Sequence, residues 1–212
     1  MKSDQAHWDA IFAATKEEKL GWYEPTVKPM LGLLSKIPKW RQSTFFLTGA
    51  GTSLLIDALY TGGASLVVND ISARALQRLR SRMQGSTQSV SGQCIDYLCQ
   101  DISRPVAETL PAVQIWVDRA VLHFLNEPAQ IQGYVDNLKS ILNQGGYAAF
   151  AEFAAHGASK CAALPVHRYS VEALSEQLGT EFTLITHFDH MYINPDGGKR
   201  PYIYALYQRV TA

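Results

Sequence analysis

Two groups of residues in this chain have the types and spacing that chemistry needs. In the first, Gly49 and Gly51 follow an aromatic, apolar run (Phe45, Phe46, Leu47), and an acid, Asp70, comes 19 residues after Gly51. Glycines lack a Cβ and let a ligand approach the backbone, a helix start offers free N–H groups, and an acid at the next strand's end can accept both hydroxyl protons of a ribose. Such a separation, near 20 residues, is that of a nucleotide-binding unit, so the expected ligand carries a ribose. In the second group, Asp118, Arg119 and His123 follow the run Val113-Gln114-Ile115-Trp116-Val117. Open α/β sheets bind ligands beyond the carboxyl ends of their strands, which makes these three the leading pocket residues.

The elements that must position them follow from periodicity. After the strand through Phe45 to Leu47 and its glycine turn, Thr52 and Ser53 open a helix with Leu54, Leu55, Ala58 and Leu59 at helical spacing. Leu66-Val67-Val68 forms the next strand and ends on Asn69-Asp70. A helix over Ser72 to Met83, with Ser72 as N-cap and Ala75, Leu76 and Leu79 on one face, leads through a loop at Gly85 to Gly92 into a strand at Cys94 to Leu98. Asp101 stands just beyond that strand, where its carboxylate either accepts from an exocyclic amine or caps the following turn.

Pro128 to Leu142 reads as a helix with Ile131, Tyr134, Val135, Leu138, Ile141 and Leu142 apolar, stopped by Asn143-Gln144-Gly145-Gly146. A fifth strand, Tyr147 to Phe153, is nearly continuous in apolar residues except Glu152, which implies burial on both faces. Repeated strand–helix units imply a parallel sheet. The stretch 154–169 is too long for a tight connection, carries His156, Lys160, Cys161, His167 and Arg168, and reads as a substrate lid. A short helix, Val171 to Leu178, is capped by Ser170 and stopped by Gly179; two extended runs, Glu181 to His190 and Pro201 to Gln208, flank Asn194-Pro195-Asp196-Gly197-Gly198 and should pair antiparallel. At the other end, residues 7–24 combine Trp8, Ile11 and Phe12 with the pair Trp22-Tyr23, either an edge helix that covers the sheet or a lid over a flat or cationic ligand. Pro25 to Ser35 reads as a helix with Val27, Met30, Leu31 and Leu34 inward.

Plainer readings stand beside the chemical ones. Gly49 and Gly51 could serve only as a turn, and Asp118 with Arg119 could be an ion pair with His123 packed beside it. A dinucleotide fingerprint requires a third glycine, and its position is Leu54, which argues against a pyrophosphate. With 212 residues, 47% of them hydrophobic, the chain has the length of one domain with a sizeable core. Nineteen basic and nineteen acidic residues cancel, so there is no basic footprint for nucleic acid, and the patch Arg74, Arg78, Arg80, Arg82 reads as a solvated helix face. Three widely spaced cysteines (Cys94, Cys99, Cys161) suggest neither disulfides nor structural zinc, and His156, Cys161 and His167 have no familiar metal-ligand spacing. The start has no apolar h-region and no run approaches the roughly 18 residues of a membrane span, so a reducing cytosol is the expected compartment.

Taken together, His7-Trp8-Asp9, the turn Gly49-Ala50-Gly51-Thr52-Ser53, Asn69-Asp70-Ile71-Ser72, Gln100-Asp101-Ile102, the stretch Asp118 to Leu125 and Gln144-Gly145-Gly146 resemble a compact bacterial branch of the class I S-adenosylmethionine-dependent methyltransferases. The resemblance spans nearly the whole chain. It implies a Rossmann-like three-layer α/β sandwich whose seven-stranded, mostly parallel sheet ends in an antiparallel hairpin, with residues 1–40 as an N-terminal helical arm and 154–169 as a substrate lid. It implies S-adenosylmethionine as cofactor: Gly49, Ala50 and Gly51 pass beneath its methionine part, Asp70 holds the ribose hydroxyls, Ile71 packs on adenine, Asp101 and Ile102 meet the adenine edge, and Trp22 closes over it. Asp118 and Arg119 would line the sulfonium and the acceptor. One departure stands out. The family usually places an acid two residues before the first glycine, and here that place is Leu47, so either a substitute such as Asp118 serves the aminocarboxyl end or binding there is weaker.

Methyl transfer from a sulfonium is an in-line displacement without a covalent enzyme intermediate, so the protein's part is alignment, exclusion of water and removal of any acceptor proton. Trp22, Tyr23 and the 154–169 lid would set the near-attack separation. His123 is the first candidate base, because imidazole titrates near neutrality, with His156 and His167 behind it. A small-molecule acceptor is favoured over protein, with no nucleic acid and no membrane partner. Two other readings are a nicotinamide-dependent reductase, from the βαβ unit and Asp70, and a non-catalytic nucleoside-binding regulator, from Leu47.

Overall fold

The computed structural model describes residues 3–85, 93–106 and 109–210. The chain opens with α1 (Gln5–Ala14) and α2 (Lys28–Leu34), then runs β1 (Thr44–Thr48), α3 (Leu54–Thr61), β2 (Ser65–Asp70), α4 (Ala73–Gln84), β3 (Ile95–Cys99), β4 (Val113–Arg119), α5 (Pro128–Ile141), β5 (Leu142–Phe153), a small hairpin β6 (Lys160–Cys161) and β7 (Leu164–Pro165), α6 (Val171–Leu178), β8 (Phe182–Ile193) and β9 (Lys199–Arg209). Seven strands form one sheet in the order β3-β2-β1-β4-β5-β9-β8. β1 to β5 pair parallel, β9 runs antiparallel to β5, and β8 pairs antiparallel with β9. Most of the loop expected at Gly85 to Gly92 lies outside the described residues.

Alternation along the central strands separates the two faces of the sheet. Phe45, Leu47, Leu66, Val68, Ile115 and Val117 pack with α2, α3 and α4, whereas Phe46, Val67, Trp116, Ala148 and Phe150 pack with α5 and α6. Both sides of each central strand are therefore apolar, as a parallel sheet covered by helices requires. Serine starts three of the helices: Ser53 accepts from Leu55 N, Ser72 from Ala75 N and Ser170 from Ala173 N. Each satisfies an amide that has no partner within its own helix.

Three local expectations change. α2 begins at Lys28 rather than Pro25, with Pro29 in its first turn, so its buried stripe is Met30, Leu33 and Leu34 while Leu31 is half-buried. β5 begins at Leu142 rather than Tyr147: Leu142 pairs with Val113, and the register with β4 shifts before Ile115, so the glycines expected to end α5 form an irregular first stretch of strand. The arginines of α4 are only in part a solvated face, since Arg74 and Arg80 are exposed but Arg78 and Arg82 are half-buried. Arg82 reaches Asp57, Glu17 and the carbonyls of Thr52 and Ser53, Arg78 donates to Thr15 O, and Arg80 lies over the Tyr97 ring at 4.6 Å. Arg78 and Arg82 fasten the arm and the segment after the glycine turn to α4.

Candidate functional site

The glycine turn is shaped by backbone that residues with side chains rarely adopt. Gly49 (φ +48°) and Gly51 (φ +53°) are both left-handed, and a Cβ on Gly49 would stand 2.2 Å from Val121 Cγ2. Ala50 N donates to Asn69 O at 2.9 Å, tying the turn to the end of β2. The Asn69 side chain is buried and spans to β3, donating to Leu98 O and Gln100 O. Asp70 follows: its Oδ2 accepts the Gly51 amide at 2.7 Å and its Oδ1 the Ser72 amide at 2.8 Å. Burial pushes its carboxyl up to about 6, against the pull of those two amides.

A cavity of about 790 Å³, counting the part open to solvent, lies over these strand ends. Of the residues expected at the site, it brings together Gly49, Gly51, Asp70, Ile71, Asp101, Ile102, Arg119 and Trp22. Ala50 faces a neighbouring space of about 610 Å³, which Gly49, Trp22 and Arg119 also line. Trp8, Phe12 and Trp22 roof the first cavity, with Trp22 edge-on to Trp8 at 5.5 Å and to Phe12 at 5.8 Å. Asp9 holds this roof in place. From α1 it accepts the Ser72 hydroxyl at 2.6 Å and the Arg74 amide at 3.0 Å, so the arm is latched to the start of α4, immediately after Asp70.

Asp118 and His123 do not face either cavity, which corrects their expected placement. Both are fully buried. Asp118 accepts the amides of Val121 and Leu122 and the Tyr134 hydroxyl at 2.6 Å, and that hydroxyl in turn accepts from Trp116 Nε1 at 2.8 Å. Burial and then repulsion from Glu152 hold the Asp118 carboxyl well above its ordinary range. His123 Nδ1 lies 2.7 Å from Glu152 Oε2, and burial pushes its imidazole down to about 3. Burial of both partners favours a hydrogen bond from a neutral ring over an ion pair in this short His–Glu contact. A neutral imidazole sealed from the cavity has no route to an acceptor's proton, so His123 is not placed to act as a base.

Arg119 does face the site. Its Nε lies 2.7 Å from Glu24 Oε2, its Nη1 donates to Trp22 O at 3.1 Å, and its guanidinium lies over the rings of Tyr192 (5.2 Å) and Tyr202 (5.5 Å). Tyr192 OH donates to Tyr23 O at 2.7 Å, so β8 also grips the arm. β6 and β7 place Cys161 in the first cavity, which Arg119 and Tyr202 also line; their turn is made by Ala162 and Ala163, both left-handed. His167 N donates to His123 O, but neither the His156 nor the His167 side chain lines either of these two cavities. Among the described residues no group of three His, Cys, Asp or Glu is placed to hold a metal, and no helix is long and apolar enough to cross a membrane.

Sequence reasoning missed Asp9, Glu24, Phe124 and Tyr202 as site residues. Asp9 had a signal in the His-Trp-Asp start, since an acid in an amphipathic arm lacks an obvious solvent role. Glu24, Phe124 and Tyr202 had none, because their places depend on how far elements fold back on one another.

A glycine turn after β1, an acid at the end of β2 and a reversed β9 beside β5 define the architecture of class I methyltransferases. Residues 47–150 match the family model described as a methyltransferase domain. Solved structures agree in fold. A SAM-dependent methyltransferase from Anabaena variabilis superposes with a TM-score of 0.75 at 12% identity, covering 97% of this chain and 93% of that one. The N-methyltransferase NodS from Bradyrhizobium japonicum, in complex with S-adenosyl-L-homocysteine, gives 0.69 at 16% identity, covering 97% and 99%. A Burkholderia thailandensis 1,6-didemethyltoxoflavin-N1-methyltransferase gives 0.65 at 16% identity, covering 87% and 78%. Comparison with curated proteins finds no match. Residues 47–150 carry the methyltransferase domain and the chain has the class I fold, that of an S-adenosylmethionine-dependent methyltransferase. That sets aside the reductase and regulator readings. S-adenosylmethionine is the cofactor, and the residues present suit it. Each Asp70 oxygen accepts one amide and keeps a further lone pair for a hydroxyl, and the left-handed glycines leave the turn bare beside it.

Proposed function

We propose that this enzyme methylates a small-molecule acceptor taken in beneath the arm, with Asp70 gripping the ribose of the cofactor and Ile71, Asp101 and Ile102 flanking its adenine. The observation that carries this reading is the aromatic roof: Trp8, Phe12 and Trp22 cover a cavity whose other end is walled by Arg119, Cys161 and Tyr202. The bound cofactor supplies an electrophilic methyl group on sulfur. Reaction needs the acceptor atom within roughly 3–3.5 Å of that group, so the atom itself must enter under the roof. A small molecule enters whole, whereas a protein would have to extend a side chain and a duplex to flip out a base, and a formally neutral chain lacks the basic field for nucleic acid.

The chain's residues contribute alignment and dryness. Residues 1–40 and the 154–169 segment serve as lids, Trp22 and Tyr202 exclude water from the reacting centre, and Arg119 fixes the arm. Near the acceptor end, burial holds the Cys161 thiol and the Tyr202 hydroxyl above their ordinary values, and the Arg119 guanidinium stays charged, so none of these three accepts a proton readily at neutral pH. The acceptor therefore brings a nucleophilic atom that attacks before it loses its proton, as a neutral amine does. The three free thiols suit a reducing compartment, the cytosol.

The test is to incubate the enzyme with methyl-labelled donor and a lysate fractionated by size. Label in the small-molecule fraction is expected. Label confined to protein or nucleic acid overturns the acceptor class.

A further inference from the structure

The second cavity presents a question of charge. It begins at the glycine turn and shares Gly49, Trp22 and Arg119 with the first. A cofactor with its ribose at Asp70 and its sulfur past that turn sends its amino-acid end, an ammonium and a carboxylate, into this space. Leu47, standing where the family resemblance leads one to expect an acid, contributes only an apolar wall. Asp118 cannot substitute: it lines neither cavity, and its oxygens are taken by two amides and Tyr134.

Among the residues lining the second cavity, the charged ones are Glu24 and Arg119. Their side chains are 9% and 12% exposed, and they touch at 2.7 Å. Glu24 Oε1 has only a long contact from Tyr204 OH, at 3.5 Å. Arg119 Nη2 is buried without a hydrogen-bond partner. An ion pair this enclosed usually has its remaining donors and acceptors satisfied, because an unpaired buried polar atom is costly. Here one oxygen and one guanidinium nitrogen are left underused, beside a cavity that both residues line. One acid and one base side by side are the charge complement of a zwitterion.

We propose that Glu24 and Arg119 form the receptor for the cofactor's amino-acid end: the Glu24 carboxylate accepts from the ammonium and Arg119 donates to the carboxylate. This rests on the reading that the nucleoside lies at Asp70. Glu24 belongs to the arm and Arg119 to the end of β4, so the bound amino acid bridges the two and fastens the roof down. Glu24 is a binding residue from an unexpected part of the chain, replacing an acid that β1 does not supply.

Calorimetric titration of the wild type and Glu24→Gln with three ligands tests this: S-adenosylhomocysteine, its analogue lacking the amino group, and 5′-methylthioadenosine, which lacks the whole amino-acid end. The wild type should prefer S-adenosylhomocysteine to the des-amino analogue by roughly tenfold or more, the range of a hydrogen bond to a charged group. In Glu24→Gln that preference should shrink to about twofold or less, with 5′-methylthioadenosine binding essentially unchanged. The proposal is overturned if the wild type does not discriminate between the first two ligands, or if the variant keeps the full preference. It is also overturned if the variant loses all three ligands alike, which assigns Glu24 only to seating the arm. The nucleoside placement is checked separately: 5′-methylthioadenosine bound as tightly by Asp70→Ala as by the wild type removes that placement, whatever Glu24 does.

Discussion

Asp70 and Gly51 are joined by a hydrogen bond of 2.7 Å from the Gly51 amide to Asp70 Oδ2, across the gap between β2 and the turn that follows β1. The bond orients the carboxylate and leaves lone pairs toward the cavity. Because burial raises Asp70 to about 6, the carboxylate form is complete only above about pH 7. Affinity for 5′-methylthioadenosine should be flat at higher pH and fall as pH drops through 6, by up to about tenfold per unit below it. Asp70→Asn should bind weakly and without this pH dependence; a parallel pH profile in both proteins would exclude Asp70 as the group responsible.

Gly49 tolerates no side chain for two separable reasons, its positive φ and the 2.2 Å approach of Val121 Cγ2. Gly49→Ala should lower stability by about 2–4 kcal/mol, combining overpacking with left-handed strain. Adding Val121→Ala should recover part of the loss, since it removes the clash and leaves the strain. Urea unfolding of the single and double variants measures both parts; purely additive losses would show that the clash relaxes freely.

His123 is predicted to matter for folding and not for proton transfer. Its imidazole, held near 3, is neutral across the working range, and its contact with Glu152 is internal. His123→Asn should cost about 1–3 kcal/mol by leaving Glu152 short of a donor, seen as a lower melting temperature. The pH profile of methyl transfer between 6 and 9 should keep its shape. Loss of a limb of that profile in a still-folded variant would restore His123 to a catalytic role.

Asp9 latches the roof from outside the cavity. Burial is the largest single influence on its carboxyl and raises it, but the hydrogen bonds from Ser72, the Arg74 amide and Gln5 together outweigh this and hold it below the usual range. Asp9→Ala should weaken S-adenosylhomocysteine binding several-fold while the sheet stays folded, because an acid at a helix N-terminus is worth about 0.3–1 kcal/mol and Trp8 and Phe12 share its helix. Circular dichroism and calorimetry on the same sample separate the effects. Unchanged affinity would mean that Trp8 and Phe12 hold without the latch.

The sequence by itself determined the sheet. Period-two and period-3.6 patterns, serine caps and the Asn-Pro-Asp-Gly-Gly turn are local signals, and they placed the strand–helix repeats and the reversed hairpin near their observed limits. It also carried one wall of the cavity, because Gly49, Gly51, Asp70 and Asp101 owe their places to strand ends, which local periodicity reveals. Tertiary structure decided the rest. Asp118 and Arg119 are the last two residues of β4 and point to opposite faces, Asp118 with Trp116 toward α5 and Arg119 with Val117 toward the other side. Which face meets the cavity depends on what packs against each, and so Arg119 faces the site while Asp118 and, past the left-handed Ala120 (φ +67°), His123 are sealed away from it. Glu24 met Arg119, and Asp9 met Ser72, only because the arm folds back over the sheet. Contacts between residues 60 to 100 positions apart arise from packing of whole elements, and spacing along the chain does not encode them.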